Sequence, residues 1–194
     1  GSFLAQGGAN GGNGGLVETS SEGLLYVDGI TVNTLAAKGT AGDWLLDPAN
    51  INIKTASSPG VVPYSSVTHD DNTTSGTSDI DVTTINNATS NITLAASNTI
   101  TFSTNVNIAA LGVGLTAKAG VTATLLDSLA GNSIAGLKSG TGTIDTAGNY
   151  IRTNGGSITF LAGDQVKLNN STLFTRGGNL TITTGDIIVN SAAA

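Results

Sequence analysis

The amino-acid sequence predicts an all-β chain wound as a solenoid, a parallel β-helix with coils of roughly 22 residues. Three observations carry that expectation. Only 10% of the 194 residues are charged and 4% aromatic, whereas Gly fills 27 positions and Asn, Thr and Ser much of the rest. Disordered chains combine low hydrophobicity with dense charge, and this one has a slightly positive mean hydropathy instead. Second, short runs alternate apolar and polar residues, as half-buried strands do. They include Ile92-Thr93-Leu94, Ile100-Thr101-Phe102, Val106-Asn107-Ile108, Ile158-Thr159-Phe160, Val166-Lys167-Leu168 and Leu180-Thr181-Ile182. Third, the runs are periodic. The intervals from Ile92 to Ile100 and from Ile158 to Val166 are equal, and those from Ile158 to Leu180 and from Val166 to Ile187 each measure about one coil. The interval from Ile92 to Ile158 reads as three periods. Eight or nine coils stacked at strand spacing make a rod roughly 40 Å long.

Taken in order, positions 7–15 are nearly all glycine or asparagine and permit positive φ. Strand-like runs follow at Leu16-Val17-Glu18-Thr19, Leu24-Leu25-Tyr26-Val27, Ile30-Thr31-Val32 and Ile51-Asn52-Ile53, each ended by a turn residue. Trp44-Leu45-Leu46 precedes Asp47-Pro48, which reads as a turn. Positions 55–78 lose the alternation and gather Pro59, Pro63, His69, Asp70 and Asp71, so a loop or excursion is expected there. Coils resume over 79–194, with a weak stretch at 120–149 where Thr124-Leu125-Leu126-Asp127-Ser128-Leu129 suits a short helix or a bulged coil. The chain therefore divides into coils at 1–54, an excursion at 55–78 and coils at 79–194. Asn98, Asn105, Asn169, Asn170 and Asn179 are expected at corners, where Asn tolerates left-handed backbone and bonds its neighbours.

Seven Lys and Arg against thirteen acids give a net charge of −6, and the basic residues make no patch along the sequence. Nucleic acid is excluded as a partner on that balance. There is no Cys, hence no disulfide framework and no thiolate metal site. Neither a leader nor an apolar run long enough to span a bilayer is visible, and no Met occurs, so the chain reads as an internal fragment.

The carboxylates give no catalytic constellation. A polysaccharide-cleaving β-helix needs clustered acids on one face, and here only Asp70-Asp71 and Asp79/Asp81 lie close together. Asp79 and Asp81 share a side if that run is a strand, and read as a solvated edge. His69 beside Asp70 and Asp71 reads as solvated charge rather than a metal site, and Glu18 as a bond to local backbone or a neighbouring coil. Trp44 is read as filler of the interior beside Leu45 and Leu46. No catalytic, cofactor-binding or metal-ligating residue is assigned. The glycine run 11–15 lacks the Asp and the tandem copies of a calcium β-roll. Thr-x-Thr occurs at Thr99/Thr101, Thr141/Thr143 and Thr181/Thr183, too sparse for a flat ice-binding face. Asn-x-Ser/Thr sequons stand at Asn72, Asn87, Asn91, Asn169, Asn170 and Asn179.

Two blocks are more specific. Gly11-Gly12-Asn13-Gly14-Gly15-Leu16-Val17-Glu18-Thr19-Ser20 is followed by Gly39-Thr40-Ala41-Gly42-Asp43-Trp44-Leu45-Leu46-Asp47-Pro48 and a strand. This pairing resembles filamentous-haemagglutinin-like exoproteins, in which a GG-x-GG-(hydrophobic)-VETS block precedes a G-x-W-L-(I/L)-D-P block. Ile80-Asp81-Val82-Thr83-Thr84-Ile85-Asn86-Asn87 looks like that family's continuation. The close resemblance extends from the amino terminus as far as Thr55, and beyond it only the coil repeats are similar. It implies a right-handed β-helical shaft in a secreted or surface-displayed bacterial adhesin. Its partners would be glycans or proteins on host or neighbouring cells. Export of the full-length protein would pass through an outer-membrane β-barrel transporter. The family's amino-terminal secretion motifs are missing here, so this segment is not expected to direct its own export. End-to-end self-association is expected of an open coil stack. A polysaccharide-binding or polysaccharide-cleaving β-helix is the alternative, and an ice-binding solenoid a minor one.

Overall fold

A computed structural model describes residues 1–21, 24–55, 76–121 and 137–190. Its regular elements are almost all strands, and every pairing between them is parallel. In chain order they are β1 (Ser2–Leu4), β2 (Leu16–Ser20), β3 (Thr31–Asn33), β4 (Asp43–Asp47), β5 (Asn50–Lys54) and β6 (Thr77–Asp81). After the single turn α1 (Val82–Asn86) come β7 (Asn91–Ala96), β8 (Thr99–Phe102), β9 (Val106–Leu111) and β10 (Leu115–Ala119). The last are β11 (Thr143–Asp145), β12 (Tyr150–Asn154), β13 (Ile158–Lys167), β14 (Thr172–Phe174) and β15 (Leu180–Ile188). Among the described residues no helix is long and apolar enough to cross a membrane.

Apart from β1 and β3, which pair with each other in a two-stranded sheet, the strands form three ladders, which the chain visits in turn from β7 onward. Ladder A stacks β2, β4, β7, β10 and the first halves of β13 and β15. Ladder B stacks β6, β5, β8, β11 and the second halves of β13 and β15. Because β13 and β15 run through both, A and B form one large sheet that curls like half a barrel. Ladder C is a separate sheet of β9, β12 and β14. The short repeated interval read from the sequence is the step from A to B, with Ile92 and Ile158 in A and Ile100 and Val166 in B.

Side-chain alternation explains which residues face the core. Val17, Trp44, Ile92, Leu115, Ile158 and Leu180 form one inward row of ladder A. Ile51, Ile100, Ile144, Val166 and Ile187 form its counterpart in B, while Val106, Ile151 and Leu173 belong to C. Residues of all three ladders join one apolar cluster, in which the Phe102 and Phe160 rings stack with centroids 5.9 Å apart. Each buried Ile or Leu there contributes about 1.5–3 kcal/mol. No single rung can bury its apolar face alone, so that stability exists only in the stack.

Several expectations need correction. Ladder A holds six rungs among the described residues, not eight or nine. The steps from Trp44 to Ile92 and from Leu115 to Ile158 are nearly twice as long as the others along the chain. Ile92 and Ile158 are therefore two rungs apart rather than three, with Leu115 the single residue of the row between them. Next, β6 does not follow β5 up the stack. It returns to pair on the amino-terminal side of β5, opposite β8. On its other flank the Leu25 N–H donates to Ser78 Oγ at 2.8 Å, and the Asp81 N–H donates to Asp28 Oδ1 at 3.0 Å. The segment 24–27 is consequently not a regular strand, although Leu25 and Val27 are buried. Lastly, Val82–Asn86 is a helical turn despite its β-branched residues. Asp81 Oδ1 accepts from the Thr83 N–H at 2.9 Å and caps it.

Close packing sets the corners. Thr153 and Thr175, one period apart, each donate from Oγ1 to the carbonyl of a following glycine, at Gly156 and Gly178. A Cβ on Gly156 would lie 1.9 Å from the Val113 oxygen, so only glycine lets the two chain segments approach there. The Asn side chains tie corners together as expected in two cases: Asn105 Oδ1 accepts from the Tyr150 N–H, and Asn169 Oδ1 from the Asn190 N–H. Of the five, only Asn170 has left-handed backbone. Of the excursion expected over 55–78, residues 56–75 lie outside the described residues, while 77–78 already belong to β6. Of the weak stretch expected over 120–149, residues 122–136, with Thr124-Leu125-Leu126-Asp127-Ser128-Leu129, lie outside them, while 143–145 form β11.

Candidate functional surfaces

Polar chemistry gathers on two outward surfaces. The first is the corner where ladder A turns into ladder B. Ser20 and Ser21 of one circuit, Asp47, Pro48 and Ala49 of the next, and Ser97 and Asn98 of the third line a groove there. Ser20 lies opposite Asp47 and Glu18 opposite Leu45, which puts Glu18 and Asp47 on the same face of neighbouring strands. Burial raises the Asp47 pKa, and the Glu18 charge adds to it, to about 6. A carboxyl with its pKa raised to about 6 keeps its proton into mildly acidic solution and can donate it there. Catalysis also needs a base held at a matching distance, and Glu18 is an exposed side chain on a strand at the sheet edge.

The second surface is the outer face of ladder C. Arg152 and Phe174 are register partners. The Arg152 guanidinium lies 5.8 Å from the centroid of the Phe174 ring and that of Arg176 lies 5.9 Å from it. Phe174 is 50% exposed and Tyr150, on the same strand face as Arg152, is 43% exposed.

The residues singled out in the sequence fall as follows. Trp44 is 1% exposed and its Nε1 donates to Thr19 Oγ1 at 3.1 Å, so it fills the interior. Leu46 shares that interior, but Leu45 points to the opposite face and packs with Ala95, Val121 and Leu137. The bond between coils expected of Glu18 is made by Thr19, whose Oγ1 donates to the Leu45 carbonyl. Asp79 pairs with Lys54 and accepts from Asn52 Nδ2, while Asp81 caps α1. The two acids share a face but serve separate contacts. His69, Asp70, Asp71 and the Asn72 sequon lie outside the described residues. Among the described residues, no three acidic or histidine side chains converge on a metal-sized site.

No protein-family model, curated protein or solved structure matches the chain. The surfaces must be read from their own chemistry. Of the described sequons, Asn91 is already engaged on both sides, donating to the Ala41 carbonyl and accepting from the Gly114 N–H. Asn169 is occupied by its bond from Asn190, and Asn87 ends α1, whereas Asn170 and Asn179 are exposed. The Thr-x-Thr motifs do not share a face, since Thr99 and Thr143 pair in ladder B and Thr181 lies in ladder A.

The sequence reading missed the arginine–phenylalanine group. The signal was present: Arg152 and Phe174 stand one period apart, and both follow an inward-facing aliphatic residue. Charge runs along the chain do not reveal a patch assembled across coils.

Proposed function

We propose that this chain is a shaft segment of a secreted bacterial surface exoprotein of the filamentous-haemagglutinin type, a right-handed parallel β-helix that extends and stiffens an adhesin. The single observation that carries the reading is the in-register parallel stacking of six rungs in ladder A over one continuous apolar core. Rows of buried aliphatic side chains several rungs long resist bending, because each coil's burial depends on both neighbours. The work of such an object is mechanical. Adhesion, aggregation or biofilm formation would come from surfaces held along it, facing glycans or proteins of host or neighbouring cells. The full-length protein would reach the cell surface through an outer-membrane β-barrel transporter.

Beads coated with the chain test this reading when offered to epithelial cells and to bacterial cells. Specific, saturable attachment supports the adhesive role. Attachment no greater than that of albumin-coated beads leaves a passive spacer and removes adhesion from this segment.

One observation favours a second reading, a polysaccharide-cleaving β-helix: the raised pKa of Asp47 beside Glu18 in the corner groove. Turnover of pectin, alginate or dextran that disappears in Asp47→Asn would establish it. We expect none.

A further inference from the structure

We propose that the outer face of ladder C binds a glycan bearing a single carboxylate per sugar, gripped by Arg152 and Arg176 around Phe174. These are the chain's two arginines, and the fold brings them to 5.8 Å and 5.9 Å from one ring centroid. A guanidinium packed on an aromatic ring keeps its in-plane N–H groups free, and those form the two-pronged contact that a carboxylate accepts. Neither guanidinium has an ion-pair partner among the described residues, although acids outnumber bases thirteen to seven in the sequence. The positive charge is therefore unspent.

The backbone at Arg176 supplies a means to separate binding from structure. Arg176 has φ +54, a left-handed conformation that suits glycine, and glycines follow at 177 and 178. The equivalent corner one period earlier places Asn154 and Gly155 there, and left-handed backbone falls on Gly155. Nothing in the turn requires a long side chain at 176. Ala147 and Asn170 share that left-handed conformation, so glycine at 176 should keep the turn while removing the guanidinium. Tyr150 and Leu111, 43% and 82% exposed on the same ladder, offer apolar surface to the C–H faces of sugars beside the anion.

The charge balance selects the ligand class. A net charge of −6 disfavours the most densely charged polymers, duplex nucleic acid and heavily sulfated glycans. Two guanidiniums suffice to grip the carboxylate of a single sugar. The proposal deepens the adhesive reading by naming a ligand, and it rests on that reading only for its biological setting.

The test is binding of a fluorescent oligogalacturonide, its methyl-esterified form and a sulfated oligosaccharide to the intact chain, to Arg152→Gln and to Arg176→Gly. The acidic oligomer should bind and the ester should not, and each substitution should weaken binding about tenfold or more. Arg176→Gly should leave the melting temperature unchanged or raised, because it relieves the left-handed residue, and so separates a binding role from a structural one. Absence of binding to the acidic oligomer, binding that both variants retain, or tighter binding of the sulfated oligomer would overturn the proposal. A chain that melts cooperatively with a β-type spectrum yet binds none of the three loses the patch and keeps the shaft.

Discussion

Ile158 is fully buried in the last rung but one of its row, whereas Ile182 belongs to the final rung and is only partly covered. Both alternate correctly for the interior, so sequence alone predicts equal sensitivity to charge. The structure separates them. Ile158→Asp places an unpaired carboxylate between two rungs and should cost about 3–5 kcal/mol. Ile182→Asp can turn its charge toward water and should cost clearly less. Thermal melts of the two variants decide, and equal losses would mean that the last rung is covered as fully as the others. Asp47 gives a pH-dependent counterpart. Its folded pKa, about 6, lies above the ordinary 3.8, so its charged form is disfavoured in the folded state. The resulting cost is fully present above about pH 6 and fades as pH falls toward 3.8. Asp47→Asn should therefore raise the melting temperature at pH 7 and lose that advantage near pH 4, with the difference between the two melts as the readout. Lys118, 3% exposed, follows the opposite sign: burial lowers its pKa, so its cost is relieved as pH rises.

At the scale of elements, most strands were legible. The alternating runs at β7, β8, β9 and β13 locate them, and the single-period step between β13 and β15 gives their register directly. Three features were not legible, each for a physical reason. The turn α1 is written in β-branched residues, and the Asp81 cap with burial of Val82 and Ile85 outweighs their intrinsic preference. The return of β6 beside β5 reverses stacking order, which periodicity cannot register because it measures distance along the chain and not direction. The double-length steps conceal the number of rungs, because an insertion lengthens a coil without adding one. The corners carry their own prediction. Gly156→Ala would press a methyl group against the Val113 carbonyl and should lower the melting temperature markedly, while Gly148→Ala, 3.7 Å from the nearest backbone atom but at φ +80, should cost only the strain of left-handed alanine, about 1–2 kcal/mol. Similar losses at both sites would show that coil approach at Gly156 is looser than described.

For the molecule as a whole, the open edge of the last described rung is expected to govern association. The outer flank of β15 has no partner strand among the described residues, and Leu180, Ile187 and Val189 are 50%, 54% and 65% exposed. An apolar edge strand of this length is a template for further parallel pairing. Light scattering should show concentration-dependent end-to-end assembly, abolished by Ile187→Lys with Val189→Lys; a monomer at all concentrations would show the edge to be covered. A wound coil, as opposed to a curled open sheet, requires all three ladders to exist together. The sequence has no Cys, so introduced pairs report without background. Thr116 with Thr159 samples ladder A, Thr99 with Thr143 ladder B, and Tyr150 with Thr172 ladder C, each pair aligned in register and about 4.8 Å apart. With a short bifunctional thiol reagent, all three Cys pairs should cross-link within the monomer, while pairs displaced by one residue should not. Cross-links in A and B but not in C would contradict the coil and leave an open sheet.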